Sequence, residues 1–159
     1  MSAARRALPL MLMLGLLGGC GVVGSVKHML GLGKPLASLR SLSVSADLGA
    51  NQGNATQLDI VLVFANSASA SLPKTGPDWF RQRAALQSVL ARDIAVVSLQ
   101  VPSASAAFKV KLPKNTKKAV AAYAFANYVA PDGWPPITLT PYKRAVLRLQ
   151  EKSIVVSEK

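Results

Sequence analysis

Short runs in which apolar and polar residues alternate recur along the chain, several of them closed by glycine or proline. Period two sends successive side chains to opposite faces, so each run predicts a strand with one buried and one wet face. In the first, Leu42, Val44, Ala46 and Leu48 oppose Ser41, Ser43, Ser45 and Asp47. The polar stretch from Gly49 to Thr56 reads as a loop, and Leu58 to Phe64 (LDIVLVF) as a more deeply buried strand rich in β-branched residues. Two strands joined by so short a polar loop predict an antiparallel pair. Later runs are Val97–Val101, Phe108–Leu112, Val120–Val129, Arg144–Gln150 with Leu147 and Leu149 inward, and Ser153–Val156. Between them the spacing of Trp79, Leu86 and Leu90 predicts one helix, opened by Pro77 and Asp78 after a Ser/Ala/Pro/Gly segment. About seven or eight short strands with one inserted helix predict an all-β fold, a sandwich of two sheets.

The N-terminal region obeys a different rule. Arg5 and Arg6 precede the uncharged run LPLMLMLGLLGGC, which ends on Cys20, the single cysteine of the chain. A basic start, a short apolar core and small residues before the cut describe a secretory signal peptide. The Leu17-Gly18-Gly19-Cys20 ending resembles the lipobox of bacterial lipoproteins. That resemblance implies cleavage before Cys20, a diacylglycerol on its thiol and an N-acyl chain on the new amino terminus, with no other cofactor. Gly21 stands where an aspartate would resemble an inner-membrane retention signal, so the expected location is the periplasmic face of the outer membrane. An uncleaved anchor needs about twenty apolar residues, and Pro9 and the glycines make this run a poor one. An ordinary signal peptide is the other alternative. The expected organisation is a signal peptide over 1–19, a lipidated cysteine and glycine-rich tether over 20–37, and a sandwich domain over 38–159.

Charge and chemistry narrow the function. The 159 residues carry a formal charge of +12, and taking Arg5 and Arg6 from 19 basic residues against 7 acidic leaves +10. Such an excess suits nucleic acid, an anionic membrane or an acidic partner. Export and the lack of aromatics interleaved with the basic residues argue against nucleic acid. Catalytic groups are scarce. His28, the one histidine, falls in the tether, so the domain offers no Ser–His–acid arrangement. The acids Asp47, Asp59, Asp78, Asp93, Asp132, Glu151 and Glu158 are scattered rather than clustered for a metal. No catalytic residue, metal site or small-molecule substrate is expected, although a Ser–Lys dyad stays open.

The order of elements then carries a resemblance. A lipobox and glycine-rich tether lead to LSVSADL, an Asn/Gly loop, LDIVLVF, the aromatic-started helix DWFRQRAALQSVL, strands through FKVKLPKNTKKAVAAYAFANY, a Trp-containing turn and a final strand pair. This resembles the outer-membrane lipoprotein of the type VI secretion system, the TssJ family, as a divergent member. The family usually has a proline soon after the Asn–Gly loop and a Tyr-Gln-Leu-like close to the second strand; here Ala55-Thr56-Gln57 and Phe64-Ala65-Asn66 occupy those places. The resemblance implies a transthyretin-like two-sheet sandwich and a structural role, recruiting the periplasmic part of an inner-membrane partner resembling TssM. It also implies that the loop after the first strand makes the main contact, which here puts partner binding at Asn51, Gln52, Gly53 and Asn54. A plain hairpin connection is the competing reading of that loop. Trp79 reads as core, while Trp134 either closes the end of the sandwich or offers an exposed contact. Lys109, Lys111, Lys114, Lys117 and Lys118 read as a solvated face or as a contact with lipid or an acidic partner. The alternative function is a ligand- or envelope-polymer-binding sandwich unrelated to secretion, for which a deep apolar pocket between the sheets would speak.

Overall fold

The computed structural model describes residues 36–159. The apolar leader, Cys20, His28 and nearly all of the tether lie outside the described residues. Two four-stranded sheets face each other. One holds β1 (Ser41–Ala46), β4 (Phe108–Lys109), β7 (Arg144–Leu149) and β8 (Ile154–Glu158), in the order β4-β1-β7-β8. The other holds β2 (Thr56–Val63), β3 (Ile94–Val101), β5 (Ala121–Ala126) and β6 (Ile137–Thr138), in the order β3-β2-β5-β6. Two helices, α1 (Asn66–Ala70) and α2 (Gly76–Val89), connect β2 to β3. The two-sheet sandwich with one long helix is the architecture that the alternation predicts.

The inner faces follow the period-two pattern. Leu42 and Val44 of β1 and Leu147 and Leu149 of β7 meet Leu58, Ile60 and Leu62 of β2 and Ala122, Ala124 and Ala126 of β5. Each large aliphatic buried this way contributes about 1.5–3 kcal/mol, and the alanines of β5 let the sheets approach closely. A second cluster lies outside the β2–β5 sheet. There Val61, Val63, Ala121 and Phe125 pack against Trp79 of α2 and Ala68 of α1. Strand β2 is therefore covered on both faces, which is why its sequence is a continuous apolar run rather than an alternation. Among the described residues the two clusters lie on opposite faces of the β2–β5 sheet.

Helix α2 is capped at Thr75, whose hydroxyl accepts the Asp78 amide at 3.2 Å, with Pro77 in the first turn and Asp78 three residues in. Gly76 permits the docking: a Cβ there would lie 2.1 Å from the Ala126 carbonyl oxygen. Its amide donates to the Trp134 carbonyl at 2.8 Å.

Four expectations are corrected. First, β1 and β2 are not hydrogen-bonded to each other but lie in opposite sheets. The loop between them arches across the end of the sandwich, so that both strands turn their apolar faces inward, and β1 instead pairs in parallel with β7, from Ser41 opposite Arg144 to Ala46 opposite Leu149. Second, Leu48 is 89% exposed, because β1 ends at Ala46 and the chain turns before the alternation reaches it. Third, the run from Phe108 to Leu112 makes only a two-residue strand, and Phe108 is exposed while Val110 is buried. Only Ser43 and Val44 find partners there. Fourth, the Ser/Ala stretch after β2 forms the short helix α1, whose Ala68 plugs the second cluster. Among the described residues no helix is long and apolar enough to cross a membrane.

Candidate partner-binding site

The loop from Asp47 to Asn54 crosses from one sheet to the other, and its residues divide sharply in role. The Asp47 amide donates to the Leu149 carbonyl at 2.8 Å, prolonging the β1–β7 ladder by one rung. Its carboxylate receives Arg148 at 2.7 Å, an exposed pair of small energetic weight. Leu48 projects outward. A left-handed stretch follows: Gly49 at φ 80°, Asn51 at φ 52°, Gln52 at φ 56° and Gly53 at φ 80°. Glycine takes this region at no steric cost, whereas other L-residues give up about 1–2 kcal/mol each. The two glycines sit where the turn enters and leaves, and the two carboxamides between them are held there by other forces.

Those forces converge on Asn51, which is 2% exposed. Its side-chain oxygen accepts the Val129 amide at 2.7 Å and its Nδ2 donates to the Asn127 carbonyl at 3.3 Å. Its own amide donates to the Gln150 carbonyl at 3.1 Å and to the Tyr128 phenolic oxygen at 3.2 Å. Tyr128 in turn donates to the Gln150 carbonyl and packs against Trp134, ring centroids 5.7 Å apart. Trp134 is half-buried and helps close this end of the sandwich. Asn51 therefore ties together three segments: the loop after β1, the chain leaving β5, and the β7–β8 turn. Of the four residues singled out from the sequence, Asn51 faces inward, while Gln52, Gly53 and Asn54 are exposed beside it.

A groove of about 700 Å³ runs alongside, lined by Gln52, Asn54, Ala55, Pro77 and the segment from Asn127 to Pro131. Leu48 and Val129, 89% and 52% exposed, add apolar surface at this end. The chemistry on offer is carboxamide hydrogen bonding beside apolar contact. Among the lining residues the one titratable group is Tyr128. Three contributors escaped the sequence reading. Leu48 was counted as core. Val129 closes its predicted strand with no role assigned. Tyr128 continues the inward series of Ala122, Ala124 and Ala126, and that phase alone marks it as buried.

Elsewhere, the space between the sheets is filled by the inner core. An apolar cavity of about 450 Å³ lies instead on the outer face of the β2–β5 sheet, lined by Leu72, Tyr123, Phe125 and Pro135 among others. Every lysine among the described residues is exposed. Among the described residues no three histidine, cysteine, aspartate or glutamate side chains gather as a metal site would require.

Two expected results test this account of the loop. Gln52→Gly should raise stability by about 0.5–1 kcal/mol in urea denaturation, since glycine removes the left-handed penalty while giving back part of it as unfolded-chain entropy. No change or a loss would mean that the exposed side chain holds the turn. The second concerns Tyr128, whose phenol is pushed above the ordinary value of about 10 chiefly by burial, with the bond from the Asn51 amide opposing and the Asp47 charge assisting. The folded state thus holds this proton more tightly than the unfolded chain. Its contribution is complete below about pH 10 and is lost as pH rises through the raised folded value. Tyr128→Phe should flatten that alkaline decline relative to the unsubstituted chain, at a cost of about 1 kcal/mol at neutral pH. Parallel stability curves on alkaline titration would contradict the assignment.

No family model matches the chain and no curated protein does. Solved structures define the class: the described residues carry the fold of type VI secretion lipoproteins. One is Serratia marcescens Lip, described as a membrane-bound component of the type VI secretion system, at TM-score 0.52 and 13% identity, covering 75% of this chain and 96% of that one. Another is the lipoprotein TssJ1 of Pseudomonas aeruginosa, at TM-score 0.52 and 12% identity, covering 75% and 94%. A third belongs to a structure described as the C-terminal domain (869-1107) of the type VI protein TssM from EAEC, at TM-score 0.50 and 14% identity, covering 74% and 98%. At these identities the likeness is one of fold.

Proposed function

We propose that the chain is a divergent TssJ-like lipoprotein, a non-enzymatic assembly component of a type VI secretion membrane complex. Acyl chains on Cys20 hold it to the periplasmic face of the outer membrane. The domain captures the periplasmic part of an inner-membrane protein resembling TssM. Two or three acyl chains bury enough methylenes for lasting attachment, at about 0.8 kcal/mol each. Location thus comes from the lipid and recognition from the domain.

The observation that carries the reading is the loop itself. A buried carboxamide holds it in a left-handed path that leaves Gln52 and Asn54 exposed beside Leu48 and a groove. A preordered loop loses less conformational freedom on binding than a mobile one. Because the groove lining lacks charged side chains, capture should depend little on salt. The competing reading, a ligand held between the sheets, finds that space packed.

The test is to recover tagged full-length protein from cells in mild detergent, with Cys20→Ser and Leu48→Asp in parallel, and identify what accompanies it. The expected result is a large inner-membrane partner, retained at high salt. Recovery from cells should fall when Cys20 is lost and fall again with Leu48→Asp. A protein that emerges alone with its lipid intact would end the secretion reading. Unchanged recovery with Leu48→Asp would move the contact away from this loop.

A further inference from the structure

The basic residues are not spread evenly over the domain. Strand β1 starts at one end of the sandwich and delivers the partner loop to the other, about 20 Å away at strand rise. At the starting end the fold collects the basic segment from Lys109 to Lys118 and adds residues far apart in sequence. Ala37 donates to the carbonyl of Ala119, just after Lys117 and Lys118. Arg40 donates its backbone amide to the Lys143 carbonyl, and the Lys159 amide donates to Arg144. Arg40 also lines one groove with Lys109 and Lys111. Leu36, 55% exposed and the first of the described residues, belongs to the same end.

These charges are uncompensated. The ion pairs among the described residues are Arg81–Asp78, Arg83–Asp59 and Arg148–Asp47, and none involves this end. Arg40 donates from Nη1 to the carbonyls of Ala37 and Leu39, at 3.1 and 2.8 Å, neutral acceptors that leave its charge unpaired. The acids at this end are few. Glu158 turns both carboxylate oxygens to the amides of Lys143 and Arg144, at 2.9 and 2.8 Å. Asp93 is half-buried where β3 starts, with Arg92 beside it. Solubility alone gives no reason for unpaired cations to collect at one end of the sandwich, the end from which the sequence runs back to Cys20.

We infer that this basic end is a second membrane contact: it lies against anionic phospholipid head groups, so that the domain stands on the bilayer with its partner loop pointing away. Each basic side chain held near an anionic surface is worth roughly a fivefold change in partition, and the attraction decays within about a Debye length. The contact would fix which way the domain stands on the bilayer. Vesicle binding does not depend on the secretion reading; only the meaning of the loop's direction does.

The test uses residues 21–159, which keep every described residue but lack the leader and the acylation site, in co-sedimentation with vesicles once cooperative urea unfolding has shown the fragment to be folded. Phosphatidylcholine vesicles are compared with ones containing about one-third phosphatidylglycerol. Binding is expected to the anionic vesicles alone, and to weaken as salt is raised. Lys111→Gln with Lys117→Gln should lower the partition about tenfold or more. Lys74→Gln with Lys152→Gln, an equal change of charge elsewhere, should leave it within about twofold. No binding to the anionic vesicles, or equal losses from both pairs, would overturn the inference. Capture by soluble polyglutamate without vesicle binding would overturn it in favour of an acidic polypeptide.

Discussion

Trp79→Ala is expected to destabilise the domain by about 3–5 kcal/mol, the largest stability effect of any single truncation at the helix–sheet contact. The indole is fully buried and lies flat on Phe125, ring centroids 4.8 Å apart at 19°. Its Nε1 donates at 2.8 Å to Asp59, a carboxylate with no exposure inside an otherwise apolar strand. Arg83, one helical turn on, reaches the same carboxylate at 3.2 Å. Truncation therefore opens a cavity, removes an aromatic stack and leaves a buried charge with one partner fewer. Each of these is a recognised route to large losses. Trp79→Phe separates the contributions, because it keeps the stack while deleting the donor. It should cost about 1–3 kcal/mol, the penalty of an unmet bond to a buried charged group. Urea midpoints for the two variants supply the measurement. Equal losses would mean that the packing adds nothing; a loss below about 1 kcal/mol for the alanine variant would mean that α2 is not held through this contact.

The same residues show what was legible in the sequence. Alternation located nearly every strand, since period two follows directly from having one face buried. It fails where the backbone leaves the extended path, and Leu48 keeps the phase of β1 after the strand has ended. Pairing was not legible, because a short polar loop fits a hairpin and an arch between sheets equally well. The choice between them rests on β7, about a hundred residues away, offering a parallel edge to β1. The role of Asp59 was only half visible. A carboxylate in a buried strand demands a donor, and Trp79 and Arg83 share one helix face, but sequence spacing does not tell that this face meets that strand. The candidate loop was legible in composition and not in direction. Asn51 and Gln52 read alike as exposed carboxamides, and only the neighbouring segments from Asn127 to Val129 turn one of them inward.

Asn51→Ala is expected to cost about 2–4 kcal/mol in stability and to lower partner recovery more than about fivefold, although its side chain is nearly inaccessible to any partner. Alanine loses the acceptor for the Val129 amide and the donor to Asn127, and it must hold a left-handed backbone without the local bonding that suits asparagine to it. Asn51→Gly loses the same two bonds but meets no left-handed penalty, so it should be less destabilising by about 1 kcal/mol. Both variants should still lose capture, because Gln52 and Asn54 are no longer fixed relative to the groove. Amide exchange at Gly53 and Asn54, which donate to Gly49 and Asn51 at 3.1 Å each, reports the loosening directly. Faster exchange with undiminished capture would show that the partner orders the loop itself, and preorganisation would drop out of the mechanism. Faster exchange together with lost capture, in a domain that still unfolds cooperatively, would place Asn51 as a positioning residue whose work is done through its exposed neighbours.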